Sequence, residues 1–463
     1  MSNLIQFDPA LLRRYDRPGP RYTSYPSSPQ FRPDFTEADF RRHARRTNDE
    51  PIPRDLSLYV HVPFCFSPCF YCGCNRIITR DTSRGAPYVE RLLREAELVS
   101  RLFDRDREVA QIHFGGGTPN FLEVSALRGL LDGLARHFRF TTRADRDFSI
   151  ELDPRCVRPG DIAAYAGMGF NRASFGVQDF DREVQQAINR EQSVGETLRA
   201  LEECRTSGFR SVNVDLIYGL PRQTLSGFRD TLDIIAEARP DRVAVYGYAH
   251  LPQMFKAQRR IAEQDLPDAA ARLDLLQAAI ERLSAAGYVY IGLDHFALPG
   301  DELSRALHSG SLQRNFMGYT THAACDLIGL GVSAISHVGD SFSQSHRDIT
   351  GWELAIDQGR LPIHRGLALD DDDIIRAEVI QQLMCSGVID RAGISARHDI
   401  DFDEYFADAL LQLVPLAGDG LVEVDERHIV ATSRGRLMLR IIAMCFDRYI
   451  SAQATPMRHS RAL

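Results

Sequence analysis

Leu56-Ser57-Leu58-Tyr59-Val60-His61-Val62, running on into Pro63-Phe64-Cys65-Phe66-Ser67-Pro68-Cys69-Phe70-Tyr71-Cys72-Gly73-Cys74-Asn75, is the stretch on which the reading of this chain turns. Its first half is a short apolar run of the kind that forms a buried strand. Its second half breaks that run with two prolines and gathers four cysteines within ten residues. Further apolar runs follow at Val109 to Phe114, Phe148 to Leu152, Arg172 to Val177, Val212 to Ile217 and Val243 to Tyr246. Between them, helical spacing appears at Tyr88 to Phe103, Val124 to His137, Ser193 to Ser207 and Thr224 to Glu237. Strands joined by helix-length connections pair in parallel, so the pattern predicts an α/β fold, a partial (β/α)6 TIM-like barrel. A closed barrel would need two more units, whereas the chain offers one more helix, Ala269 to Ala286, and one more strand, Tyr288 to Leu293.

Around this centre the sequence divides into three parts. Residues 1–54 form a lead-in whose Gly19-Pro20-Arg21-Tyr22-Thr23-Ser24-Tyr25-Pro26 discourages regular structure and predicts an extended arm over the barrel mouth. Residues 55–366 hold the barrel. Residues 367–463 begin a small, mostly helical domain: Asp370 to Asp373 suit a helix start before Ile374 to Met384. Gly420 to Val424 and His428 to Ala431 predict a hairpin, and Gly435 to Tyr449 a last helix, a winged-helix-like ending read as a packing module.

A net charge of -8 argues against nucleic acid, which selects a basic face. No apolar run reaches the roughly 18 to 20 residues that span a bilayer. Met1 to Leu12 carries Asp8 and lacks the basic start and apolar core of a signal peptide, so a cytoplasmic protein is expected. There an odd count of nine cysteines points to metal or redox chemistry rather than disulfides. Basic residues are almost all Arg; Lys256 is the single lysine.

The loop after the first strand presents Cys65, Cys69 and Cys72 at the carboxyl rim, where barrels gather function. Three thiolates suit a four-iron cluster in which one iron keeps an open site, and that vacancy can chelate the amino and carboxylate groups of S-adenosylmethionine. The competing reading is structural zinc on Cys65, Cys69, Cys72 and Cys74, but Cys72 and Cys74 are separated by Gly73 alone, tighter than zinc pairs usually are. Other strand ends present Gly115-Gly116-Gly117-Thr118, Glu151, Gln178 and Asp215. Glycines permit close approach of a ligand, and the acids can accept from ribose hydroxyls or an ammonium. Cys156, Cys204, Cys325, Cys385 and Cys445 read as core residues or bystanders.

The C-x3-C-x2-C spacing resembles the radical S-adenosylmethionine superfamily. More narrowly, Tyr59 to Cys65 and Cys72 to Asn75 resemble the oxygen-independent coproporphyrinogen III oxidases, a likeness running from Gly19 to Phe446. The resemblance implies a [4Fe-4S] cluster on Cys65, Cys69 and Cys72 and two molecules of S-adenosylmethionine. The first would meet Tyr59, Gly116, Glu151 and Ile335. The second would meet Tyr71, Gly117, Thr118, Gln178, Arg190, Asp215 and Ala249. It also implies catalytic roles for Cys74, Glu151 and Tyr59, with Cys74 not a ligand. The substrate would be coproporphyrinogen III, two of whose propionates become vinyl groups in haem biosynthesis. A monomer is implied, served by an electron donor, for which a flavodoxin-like carrier is a candidate, and by an electron acceptor. Arginine forks suit propionates, and Arg21 and Arg314 are the candidates. Where the family commonly has Gln this chain has Met317, whose thioether lacks amide donors. Two alternatives share the superfamily: a haem-binding chaperone, and a radical methyltransferase or haem-degrading relative.

Overall fold

The structure is a computed structural model in which residues 5–322 and 324–451 are described. The chain divides into two compact units, Phe31–Pro267 with His322–Ala368, and Met1–Gln30 with Asp268–Thr321 and Leu369–Leu463.

The first unit holds the barrel strands β1 (Leu56–Val62), β2 (Glu108–Gly116), β3 (Asp147–Leu152), β4 (Arg172–Gln178), β5 (Ser211–Tyr218) and β6 (Arg242–Gly247). Each pairs in parallel with its predecessor. The connections carry α1 (Gly85–Ser100), α2 (Val124–His137), α3 (Asp161–Gly167), α4 (Val194–Thr206) and α5 (Leu225–Ala238). In α2, Leu127, Leu130, Leu131 and Leu134 fall on one face and are buried, which fixes the side that meets the sheet. A capping box between Ser193 and Glu196 starts α4. The six strands and the four helices expected between them are therefore present, with α3 and a short helix at Arg182–Ala187 in addition. Both additions are single turns or little more, too short to show a period.

The strands on the other side of β1 were not foreseen. β7 (Asp326–Leu330) returns to the free side of β1 and pairs with it in parallel, setting Tyr59 opposite Gly329. β8 (Ile335–His337), β9 (Ser341–Ser345) and β10 (Ile363–Ala368) extend that side as antiparallel strands. The sheet of this unit thus runs β6-β5-β4-β3-β2-β1-β7-β8-β9-β10 and stays open.

The second unit has its own core. Leu12, Tyr22 and Tyr25 of the lead-in pack with Val379, Leu383, Phe406, Ile442 and Phe446. Only the part of the lead-in up to Gln30 belongs to this unit; among its described residues it is extended apart from the helix Pro9–Tyr15 and the turn Ser28–Gln30. The rest of the lead-in lies in the first unit and carries the helix Glu37–Arg46. Tyr22 donates a 3.0 Å hydrogen bond to Asp447. α6 (Asp371–Ser386) opens with the expected acids, as a capping box between Asp370 and Asp373. Residues 268–321, assigned from sequence to the central domain, group here instead. The reason is packing: Tyr319 donates to the Met384 carbonyl at 3.0 Å, Gln381 to that of Arg314 at 3.1 Å, and Ile291, Leu312 and Cys385 share one cluster. The strand expected over Tyr288 to Leu293 is Val289–Gly292, antiparallel to His295–Ala297. The helix expected over Gly435 to Tyr449 is instead four short turns, Gly435–Met438, Leu439–Ala443, Met444–Phe446 and Arg448–Ser451. Burial on all sides leaves no amphipathic face to set a helical direction, and Asp447 adopts extended backbone to meet Tyr22.

Candidate active site

The cysteine loop is held from outside and opens inward. Its base is closed by parallel pairing of Phe64–Cys65 with Ile77–Ile78. Its carbonyls are taken one by one: Pro68 accepts from Asn189 at 2.7 Å, Tyr71 from Gln258 at 2.9 Å and Asn75 faces His61 Nε2 at 2.9 Å. Arg76 does the most, its guanidinium donating to the carbonyls of Cys69 at 3.1 Å, Cys72 at 3.0 Å and Cys74 at 3.5 Å. With the backbone satisfied by its surroundings, the sulfurs of Cys65, Cys69, Cys72 and Cys74 are left to line a cavity of about 670 Å³.

The glycine loop forms the adjoining wall. Gly116 has φ +110°, and a Cβ there would come within 2.6 Å of the His61 ring; one on Gly117 would come within 2.6 Å of the Pro63 carbonyl group. Only glycine lets this backbone lie against the cysteine loop. Next to it, Thr118 donates to Cys65 Sγ at 3.3 Å.

Polar groups on three further strands, β3, β4 and β5, face the same space, together with Arg190, which follows the short helix Arg182–Ala187. Glu151 accepts from the Gly116 N–H at 3.2 Å and lies 3.2 Å from His113 Nε2, and the open 44% of its side chain faces the cavity. Burial opposes its charge, but the His113 contact and the Gly116 N–H outweigh this and hold the carboxyl below its ordinary value. Asp215 accepts from Asn213 at 2.9 Å and Ser174 at 3.1 Å, yet burial, helped by the charge of Glu151, pushes it up to about 6. Gln178 ends β4 with φ +70°, a left-handed turn uncommon outside glycine, at the point where strand gives way to loop. Arg190 is buried; it donates to Cys69 Sγ at 3.5 Å and Asp153 at 3.1 Å, while its Nε has no partner.

The thiols differ among themselves. Burial raises Cys65 to about 11, whereas the hydrogen bond from the Cys74 thiol lowers Cys72 to about 6 and drives Cys74 itself well up. None of these cysteines is in a disulfide. Among the described residues no three His, Cys, Asp or Glu side chains converge as they would on a single metal ion. A four-iron cube takes its thiolates at separate corners, so a spread trio with N–H and O–H donors aimed at its sulfurs is the donor set that suits it.

The expected residues do not all lie in one place. Tyr59, Ala249 and Ile335 fall outside the cavity lining. Tyr59 stacks on His113, with ring centroids 5.8 Å apart, and its hydroxyl lies 3.0 Å from His61 Nδ1. Ile335 crosses Gly329, the register partner of Tyr59; a Cβ on that glycine would meet the Ile335 carbonyl at 2.5 Å. The Ala249 carbonyl accepts from Gln258 at 3.1 Å, one bond away from the cysteine loop. Cys156, read as a bystander, lines the cavity, as do Asp153 and Arg155, which pair with each other at 2.6 Å. The available signal for these three was their place directly after β3, as Leu152-Asp153-Pro154-Arg155-Cys156. Cys204, Cys385 and Cys445 are buried, as core residues should be.

A parallel open barrel carrying this loop at its strand ends defines a radical S-adenosylmethionine protein, and residues 59–235 match the family model of the Radical SAM superfamily. Residues 369–438 match that of the HemN C-terminal domain. The chain is 49% identical over 450 residues to the oxygen-independent coproporphyrinogen III oxidase of Pseudomonas aeruginosa, covering 97% of each. It is 45% identical to that of Escherichia coli over 461 residues, covering 99% of each. The solved structure of the Escherichia coli coproporphyrinogen III oxidase, described as a radical SAM enzyme, superimposes with a TM-score of 0.91 over 96% of this chain and 100% of that one. The chain belongs to the oxygen-independent coproporphyrinogen III oxidase family.

Proposed function

We propose that this chain converts two propionates of coproporphyrinogen III to vinyl groups without oxygen, giving protoporphyrinogen IX, with Cys65, Cys69 and Cys72 holding a [4Fe-4S] cluster. The observation that carries the reading is the outward-fastened loop, which leaves three thiols with hydrogen-bond donors on one cavity. Held by Cys65, Cys69 and Cys72, such a cluster would supply the electron that cleaves S-adenosylmethionine, and the 5′-deoxyadenosyl radical so made would remove a hydrogen atom from the propionate carbon next to the ring. For each propionate, that hydrogen atom, carbon dioxide and one further electron leave, the electron going to an acceptor.

The chain's own part is to bind and orient. Glu151, kept ionised by His113 and Gly116, offers an acceptor for an ammonium or ribose hydroxyls. With Tyr59, Gly116 and Ile335 it forms the proposed contact set of the first S-adenosylmethionine. Tyr71, Gly117, Thr118, Gln178, Arg190, Asp215 and Ala249 form that of the second. Cys74 stands beside Cys72, its backbone N–H donating to the Cys72 sulfur at 3.4 Å, and acts through that neighbour rather than as a ligand. Of the two substrate arginines, Arg21 is engaged by Asp294. Arg314 is buried over the Tyr319 ring at 4.8 Å with Nε and Nη1 lacking partners, and it is the one with donors left for a propionate. Met317 lies inside the Asn315–Gly318 turn beside it, its N–H held by Asn315 at 2.9 Å. The reading includes a monomeric, cytoplasmic enzyme; no helix among the described residues is long and apolar enough to cross a membrane.

The test is anaerobic reconstitution with iron and sulfide, then incubation with dithionite, S-adenosylmethionine and coproporphyrinogen III. 5′-Deoxyadenosine released together with protoporphyrinogen is the expected result. Methylated product, haem binding without turnover, or zinc without inorganic sulfide would each overturn it.

A further inference from the structure

Pro252–Arg260 lies directly against the cysteine loop. Phe255 covers Gly73, where an added Cβ would come within 3.0 Å of the ring. Gln258 is buried, and its amide joins the Tyr71 carbonyl at 2.9 Å to the Ala249 carbonyl at 3.1 Å, while its oxygen accepts from the Leu251 N–H. The inner side of the segment is therefore part of the loop's fastening. Its outer side is open: Met254 is 53% exposed, and Lys256, Arg259 and Arg260 are exposed. Lys256–Arg260 forms a 3₁₀ turn, which places Lys256 and Arg259 one above the other. No acid occurs from Pro252 to Ala262; Glu263 follows, and Asp265 is engaged by Arg222 at 3.3 Å. Among the described residues neither Lys256 nor Arg260 has an ion-pair partner, in a chain whose net charge is -8.

We propose that this segment is the docking surface for an acidic one-electron carrier that reduces the cluster site. The inference rests on the functional reading above. An exposed apolar side chain among unneutralised cations is the pattern that steers and seats an acidic partner. Continuity with Gly73 puts such a partner one aromatic ring away from the backbone between Cys72 and Cys74. The electron passes from the reduced carrier to the site, and the oxidised carrier leaves.

The experiment compares two reductants on the reconstituted holoenzyme: an acidic flavodoxin held reduced, and dithionite, which needs no docking. K256E/R259E/R260E is expected to raise the KM for flavodoxin by at least about tenfold, with dithionite-driven 5′-deoxyadenosine release unchanged. The neutral K256Q/R260Q should fall between, and added salt should shrink the difference. R45E/R46E, on the distant helix Glu37–Arg46, should leave both rates as they were. The proposal is overturned by an unchanged KM, by an equal effect of R45E/R46E, or by a parallel fall with dithionite. Loss of binding to phosphatidylserine vesicles with carrier kinetics unmoved would also overturn it. Failure of the functional reading looks different: wild-type protein would then release no 5′-deoxyadenosine even with dithionite.

Discussion

The two ends of the barrel use the same residue types to opposite effect. At the amino end, Arg107 precedes β2 and Asp326 opens β7, and they form an ion pair exposing 2% and 1% of their side chains. Arg107 also donates to the Arg54 carbonyl at 2.8 Å and Thr47 at 2.7 Å, while Asp326 accepts the Gly339 N–H at 2.9 Å. Both charges of this pair are answered by the protein. At the carboxyl end, Arg190 shares its guanidinium between Asp153 and a cysteine sulfur and keeps an unpartnered Nε, and Glu151 is open to the cavity. Saturated groups stabilise; groups with remaining donors and acceptors bind.

The comparison is most easily broken at the carboxyl end. Cys65→Ala, Cys69→Ala or Cys72→Ala should each abolish the cluster's visible absorbance and turnover, while Cys74→Ala keeps the absorbance; its loss there would make Cys74 a ligand. Next comes the amino end, where Arg107→Ala strands a buried carboxylate and should cost about 3–5 kcal/mol in denaturant unfolding, with thiol reactivity of the cysteine loop unchanged. Arg190→Ala should cost less, about 1–3 kcal/mol, because Asp153 retains Arg155, but it should weaken S-adenosylmethionine binding by roughly tenfold as measured by calorimetry. Equal stability losses at Arg107 and Arg190 would erase the distinction between the ends.

Glu95 sharpens it. This buried carboxyl sits behind β7, accepting from the Gly331 N–H at 2.8 Å and Trp352 at 3.1 Å, with no cation beside it among the described residues. Burial raises it from 4.5 to about 8. The folded chain therefore holds a proton that the unfolded chain has released across that window. Its stabilising contribution is whole below about pH 4.5 and is lost as pH climbs towards 8. Glu95→Gln should flatten this part of the melting-temperature profile, removing a slope of at most about 1.4 kcal/mol per pH unit.

Much of this was legible in the order of residues. Apolar runs alternating with leucine-periodic stretches located β1 to β6 because each element carries its own period, and Cys65, Cys69 and Cys72 could be singled out as candidates because three sulfurs stand close together on one loop. β7 was missed because Leu327-Ile328-Gly329-Leu330 is short and glycine-broken, and its strand identity comes from the neighbour it pairs with. Asp153, Arg155 and Cys156 were missed because a charge pair after a proline looks the same whether it faces solvent or a cavity.

The sequence by itself determined the strand–helix repeat, the cysteine loop and the glycines beside it, since spacing and residue type are local properties. Tertiary structure alone decided that Arg76 fastens the loop from behind, that Phe255 covers Gly73, and that residues 268–321 pack with the carboxyl-terminal core. These depend on which distant backbone groups are left needing partners once the sheet has formed, and a linear pattern does not encode that.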